Sequence, residues 1–593
     1  SFENALKSLK IALMPLLRGA QGDVPMDYKK YIAEKIAIDG VSAEEIASYL
    51  TVPPANDMGD FALPCFKFSK ILRKSPVAIA EDLKNAFTAD SVICGVSAVN
   101  GYLNFKIDRS AFVADTLSRI GKEGDRYGSS DLGRGKTICI DYSSINIAKP
   151  FHIGHLSTTV LGGALYRILS FLGYKTVGIN HLGDYGTQFG KLISAYKRWG
   201  DKETVQKGGI RALNELYVKF HREAETHPEY DDEARAYFKK IEEKDEECLA
   251  LFHWFKELTL KDVQKIYDLL DIKFDSYAGE SFYSDKMQPV VDELKAKGLL
   301  VESRGAQVVK LDEFGMPPCI ILKSDGTSLY ATRDMAAAIY RKQTYDFYKC
   351  LYVVAYQQNL HFRQFFKVLE LMGKEWAKDL VHVAYGMVSL EEGTMSTRKG
   401  NVVFLEDVIN RCIEKAYEII SEKNPALQGE EKQKIATQVG VGAVIFGALS
   451  NSKIKDIVFS YDKVLNFDGE TSVYVQYTCA RAKSVLQKAK EQGAGAENYQ
   501  FDFELNEAET DLAKALEKFP DTVKEAAEKY EPSFIARYAV DLSQKFNKFY
   551  FDCKILAAED ENRKNFRLAL TSAAAQALKN AFALLGISMP DKM

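Results

Sequence analysis

At 593 residues the chain is too long for one hydrophobic core and calls for about three or four domains. Its 46% hydrophobic and 27% charged residues exclude a collagenous, disordered or wholly membrane-embedded protein, and a formal net charge of -4 leaves room for a nucleic-acid site only as a local patch. Its nine cysteines are scattered, with no two at Cys-x-x-Cys spacing, so neither structural zinc nor a disulfide framework is expected. No apolar run approaches the roughly 18–20 residues of a membrane span, and Ser1 to Leu6 lack a signal-peptide core, so the expected setting is cytoplasmic with no membrane partner.

Residues 1 to about 110 read as a small α+β module, with helical patterns near 2–16, 27–37 and 42–50, then short strands closing at Gly101-Tyr102-Leu103-Asn104-Phe105. A helix and a Gly-rich turn lead to an apolar, β-branched run, Thr137-Ile138-Cys139-Ile140. There follow a predicted helix over 154–171, a strand over 176–180 and a Gly-rich turn over 180–190. Strand, helix, strand implies parallel pairing, with ligands at the carboxyl ends of the strands. Residues 191–315 are helical and strongly charged, as in Ile241-Glu242-Glu243-Lys244-Asp245, and read as an insertion. The parallel sheet is expected to resume with 319–322, 350–354 and 381–384, and residues 411–593 are nearly all helix. The fold class is therefore α/β: a Rossmann-like parallel-sheet core with a helical insertion, an α+β amino-terminal domain and an all-α carboxyl-terminal domain.

The sharpest chemistry lies at 141–156, where a strand hands over to a helix through His152-Ile153-Gly154-His155. Unpaired N–H groups and the helix dipole collect phosphates there, Gly154 lets a nucleotide lie against the backbone, and two imidazoles can donate to a leaving pyrophosphate. With 8 His and 39 Gly, chance supplies only about 0.007 such tetrapeptides. Three more segments line up with this site. Tyr330 and Asp334 stand four apart on one helix face. Gln358 and His361 stand three apart after a strand. Met395, Ser396, Arg398 and Lys399 belong to a polar, cationic loop suited to gripping polyphosphate. Near the end, Lys545-Phe546-Asn547-Lys548-Phe549-Tyr550 alternates aromatics and cations, which serves either base stacking or a helical core.

The tetrapeptide resembles the His-Ile-Gly-His signature of class I aminoacyl-tRNA synthetases, and Ser144-Ile145-Asn146-Ile147-Ala148-Lys149-Pro150-Phe151-His152 is similar to its arginyl version. Met58-Gly59-Asp60-Phe61-Ala62 resembles the amino-terminal domain of arginyl-tRNA synthetases, which contacts the outer corner of tRNA. Tyr474-Val475-Gln476-Tyr477-Thr478-Cys479-Ala480-Arg481 resembles the family's Tyr-x-Gln-Tyr-x-x-x-Arg helix. The resemblance implies domains at 1–110, at 111–410 with the connective insertion at 191–315, and at 411–593 for anticodon binding. It implies arginine activation with ATP and Mg²⁺, transfer to the 2′-hydroxyl of the terminal tRNA adenosine, and tRNA bound before activation.

Residue by residue, Lys149, His152, Gly154 and His155 are then expected at ATP, with Met395, Ser396, Arg398 and Lys399 closing on it. Asp141, Ser144, Asn146, His152, Tyr330, Asp334 and Gln358 are expected at arginine, and Tyr477, Arg481 and Met593 at tRNA. No metal ligand is assigned, and a monomer is the default. Asp141 stands where the family usually has glutamate, and Ile145 where it has proline. Thr394 and Thr397 replace the lysines of the general class I loop, and Lys149 is expected to supply the missing phosphate contact. The alternatives are a class I synthetase for another amino acid and a catalytically inactive RNA-binding relative.

Overall fold

The computed structural model of the chain describes residues 27–53, 58–90, 92–324, 330–391, 403–495, 499 and 503–593. The helix expected at 2–16 lies outside them. Short helices Tyr28–Glu34, Ala43–Tyr49 and Pro76–Ala86 begin at Asp27, Ser42 and Ser75, whose side chains each accept a first-turn backbone N–H. They accompany β1 (Phe61–Pro64), β2 (Ile93–Val99) and β3 (Tyr102–Ile107), an antiparallel sheet ordered β1-β3-β2.

Two compact units divide the chain. One combines the residues up to Gly124 with Gly495–Glu517 and Asp552–Ala573. Within it Lys514 meets Asp60 at 2.7 Å, and the fully buried Glu509 is held by Arg567 at 2.8 Å and Arg563 at 3.0 Å. A carboxylate so buried is tolerable only because both guanidinium groups meet it.

The other unit carries β4 (Thr137–Asp141), β5 (Lys175–Ile179), β6 (Leu300–Ser303), β7 (Ala306–Val309), β8 (Cys319–Leu322), β9 (Lys349–Ala355) and β10 (Leu380–Tyr385), then β11 (Val388–Leu390) paired in parallel with β12 (Ile457–Phe459). The four central strands form a parallel sheet ordered β10-β9-β4-β5. Chain order reverses on either side of β4, so a crevice opens at the carboxyl ends of β4 and β9.

One expected strand belongs elsewhere. Residues 319–322 do not join the parallel sheet; β8 pairs antiparallel with β7 in a separate sheet ordered β6-β7-β8. Its burial alternates, with Ile320 44% exposed, as suits a strand covered on one face. Four apolar residues in a row concealed that alternation in the sequence.

The insertion contributes helices Thr187–Trp199, Lys202–Ala224, Glu229–Glu242 and Glu246–Leu269. In the carboxyl-terminal part Phe546 and Phe549 are fully buried, so these two aromatics are core and not stacking faces. Among the described residues one helix, Glu561–Leu585, is long and apolar enough to cross a membrane, but 72% of its apolar window is buried within the protein, as in a bundle's core helix.

Candidate active site

Asp141 ends β4, and the loop after it is bent into conformations that side chains usually avoid. Ser143, Ser144 and Ala148 have φ of 66°, 45° and 59°. Each costs about 1 kcal/mol or more, so something must hold the loop. The Ser143 N–H donates to Thr158 Oγ1 at 3.0 Å, and its hydroxyl meets Thr159 and Tyr267 at 2.8 Å each. The Ala148 N–H donates to Thr259 Oγ1 at 3.0 Å. Thr259 and Tyr267 lie on Glu246–Leu269, so the insertion braces the signature loop from behind. Ile145, standing in proline's place, uses the N–H that proline lacks: it donates to the buried Asn180 Oδ1 at 3.4 Å. Asn146 is exposed and bridges to Gly183; a Cβ at Gly183 would come within 2.2 Å of the Asn146 amide oxygen.

His152 and His155 form a capping box before the helix Leu156–Phe171. His152 Nδ1 accepts the Gly154 N–H at 3.0 Å, and His155 Nδ1 accepts the His152 N–H at 3.2 Å. With both Nδ1 atoms accepting, a neutral imidazole at either position carries its proton on Nε2 and offers it as a donor. Burial lowers His152, and burial together with the neighbouring His152 pushes His155 down to about 3.

This has a consequence for acid stability. Below about pH 6.5 an unfolded imidazole takes up a proton that folded His155 refuses until about pH 3. Stability present above pH 6.5 is therefore lost as pH falls through that window. Between pH 7 and 5 this one group is expected to remove about 1–2 kcal/mol, and His155→Gln to shed that part of the slope. Urea unfolding of both proteins at the two pH values measures it; equal pH slopes would refute it.

A charged cluster occupies the crevice. Asp141, 5% exposed, accepts from Ser144 Oγ at 2.7 Å on Oδ1 and pairs with Arg341 at 2.8 Å through Oδ2. Arg341 is 1% exposed; burial opposes its charge, but the attraction of Asp141 prevails and raises it further above its ordinary range. Its Nη2 lies 3.4 Å from His181 Nδ1. On the same helix, Tyr330–Tyr345, Asp334 Oδ2 meets His361 Nε2 at 2.6 Å. Burial alone would raise the Asp334 carboxyl, but the His361 hydrogen bond and the charges of His361, His181 and Arg341 hold it below the usual carboxylate range.

The structure thus brings Asp141 and Asp334 to shared neighbours, with Ser144 beside Asp141. Tyr330 opens the same helix and is 68% exposed. Gln358 lies exposed in the turn after β9, and Lys149 is half-buried beside the signature. Met395, Ser396, Arg398 and Lys399 lie outside the described residues. The chain beyond them passes the signature: Ile153 N–H donates to Val403 O at 3.2 Å and Leu405 N–H to Phe151 O at 2.9 Å. Arg341, His181, Thr259 and Tyr267 went unassigned in the sequence. Arg341 left a signal there, seven residues after Asp334 and so two turns along one helix face, and His181 lies in the Gly-rich turn expected at the ligand-binding ends of the strands.

Tyr477, Arg481 and Met593 line one cavity of about 600 Å³ with Asn547 and Phe551. Arg481 donates to Asn547 Oδ1 at 2.6 Å and lies 5.0 Å from the Tyr477 ring and 5.4 Å from that of Phe551, which is 73% exposed. Asn424 Nδ2 donates to Met593 O at 3.2 Å, tying the chain's end to the cavity.

Comparison with known proteins bears on what this arrangement is. Residues 116–461 match the family described as tRNA synthetases class I (R), catalytic domain; residues 26–107 match the arginyl tRNA synthetase N terminal domain, and 475–593 the DALR anticodon binding domain. An arginine–tRNA ligase of Clostridium perfringens is 52% identical over 570 residues, covering 96% of this chain and 100% of the relative. One of Clostridioides difficile is 52% identical over 569 residues, with the same coverage. Among solved structures, arginyl-tRNA synthetase of Thermus thermophilus superposes with a TM-score of 0.75 at 25% identity, covering 92% of this chain and 96% of that one. That of Plasmodium falciparum, with a TM-score of 0.76 at 23% identity over 95% and 98% of the two chains, speaks for the fold alone. With a catalytic-domain match over more than half its length and relatives half identical to it nearly end to end, the chain belongs to the arginine–tRNA ligases of the class I aminoacyl-tRNA synthetase family.

Proposed function

We propose that the chain condenses L-arginine with ATP to arginyl-adenylate and passes the arginyl group to the 2′-hydroxyl of the terminal adenosine of its tRNA, which binds before activation. The observation that supports this best is the crevice itself. It places a helix-starting pair of imidazole donors and the buried carboxylate of Asp141 at the carboxyl end of the parallel strand β4, with the half-buried carboxylate of Asp334 facing them from the helix Tyr330–Tyr345.

Adenylate formation is mostly positioning and charge stabilisation. His152, Gly154 and His155 take the nucleotide, and Lys149 meets its phosphates together with the loop of Met395, Ser396, Arg398 and Lys399. Ser144, Asn146, His152 and Gln358 hold the amino and carboxylate end of arginine. Asp334, with Tyr330 alongside, and Asp141 behind, provide the acidic end for the guanidinium. Mg²⁺ arrives with the nucleotide and shares the phosphate charge. The cavity at Tyr477, Arg481 and Met593 receives an unpaired tRNA base, stacked on exposed aromatics and held near a guanidinium. We place the reaction in the cytoplasm, a setting that suits nine free thiols.

The test is exchange of labelled pyrophosphate into ATP, with each amino acid in turn, with and without total tRNA. Exchange is expected with arginine alone and only when tRNA is present. Exchange with another amino acid would reassign the acidic pocket, and none at all would favour an inactive RNA-binding relative.

A further inference from the structure

The two carboxylates of the proposed arginine pocket are not equivalent. Both oxygens of Asp141 are engaged, one by Ser144 and the other by Arg341, so its charge is matched within the protein. Asp334 differs: Oδ2 is held by His361, and Oδ1 accepts no hydrogen bond among the described residues. His361 is itself fixed, near the start of the helix Asn359–Leu371, with the Phe362 and Phe365 rings 5.3 Å and 5.2 Å from its own.

We infer that His361 is a positioning residue for arginine: its Nε2–H orients Asp334 so that Oδ1 faces the substrate guanidinium, and its protonation turns that carboxylate inward. A neutral imidazole lends a hydrogen bond and leaves Asp334 its full charge. An imidazolium forms an ion pair in the same place and competes with the substrate for one carboxylate. Arginine and a proton on His361 therefore bind antagonistically, which is linkage between a ligand and a proton sharing one counter-charge.

The charged groups around the pair have partners of their own. Arg341 and Asp141 answer each other, and Tyr352 of β9 faces both them and Asp334. Glu280 faces Asp334 while paired with Arg333 at 3.1 Å. Burial lowers His181, which faces Asp334, and His382 of β10, which faces His361, so both resist protonation.

This inference rests on the reading of Asp334 as an arginine ligand, and the experiment separates the two. KM for arginine in aminoacylation is measured from pH 6 to 8 for the wild type, His361→Gln, His361→Ala and Asp334→Asn. The wild-type KM is expected to rise as pH falls, by up to about tenfold per unit once the imidazole is mostly protonated, because only the neutral fraction binds. Glutamine places an amide donor near the Nε2 position but cannot charge, so His361→Gln should flatten the KM profile and keep KM below that of His361→Ala. A purely structural histidine would move thermal stability and leave the pH slope intact. If Asp334→Asn raises KM while His361→Gln keeps the wild-type slope, the inference alone fails. If Asp334→Asn leaves KM unchanged, the pocket assignment beneath it fails as well.

Discussion

Lys149→Ala is expected to slow arginine-dependent pyrophosphate exchange by about 10²–10³-fold, the usual cost of removing a donor aimed at charge that develops in the transition state. The general class I loop would put lysine where this chain has Thr394 and Thr397. A cation must then come from elsewhere, and Lys149 stands three residues before His152. Its backbone is well held: the preceding Ala148 N–H is fixed by Thr259 at 3.0 Å, Pro150 follows, and Phe151 O accepts from Leu405 N–H at 2.9 Å. With the backbone already fixed there, only the side chain's own freedom is lost when the lysine meets phosphate. The companion variant Thr394→Lys should change the exchange rate little, since the role is already filled. Exchange at saturating arginine and ATP, with tRNA present, reads both. A fully active Lys149→Ala enzyme would move the phosphate contact to Arg398 or Lys399.

Much of the catalytic half is legible in the sequence because local signals carry it. A β-branched run, a His-x-Gly-His and a periodic helix place the site at the end of β4, and the spacing of Tyr330 and Asp334 fixes their common helix. What could not be read is what joins residues far apart. Thr259 and Tyr267 brace the signature loop from more than a hundred residues away, in a helix whose sequence reads as an amphipathic insertion. Pattern reveals which face of a helix is apolar, not which loop will rest on it. The strand β8 was misplaced for a related reason: an unbroken apolar quartet reads alike whether one face is covered or two. Nor does periodicity indicate that Gly495–Glu517 and Asp552–Ala573 belong with the amino-terminal residues, since that grouping is made by contacts such as Lys514 with Asp60. Tyr477 and Arg481, assigned by resemblance together with Met593 more than a hundred residues further on, do line one cavity with it.

Arg341→Met is expected to destabilise the catalytic unit by about 3–5 kcal/mol, because it strands a buried carboxylate. Arg341 and Asp141 are 1% and 5% exposed, and their ion pair at 2.8 Å is what makes either charge tolerable there. The guanidinium is only partly satisfied: among the described residues its Nε and Nη1 have no hydrogen-bond partner, although its face lies 5.4 Å from the Tyr352 ring. A pair of this kind contributes little net stability over a well-packed apolar pair of similar volume, yet losing one partner is costly. The double variant Asp141→Asn/Arg341→Met should therefore recover much of what the single variant loses, and the cycle gives their coupling directly. The pH dependence identifies the cause. Without Arg341 a buried carboxylate is left without its counter-charge, and a proton taken from solvent relieves that cost. The deficit of Arg341→Met relative to wild type should accordingly shrink as pH is lowered from 7 toward 5, whereas the double variant should show no such change. Urea unfolding followed by tryptophan fluorescence at both pH values measures this. A deficit independent of pH would mean that the loss comes from the cavity left by the side chain and not from the stranded charge.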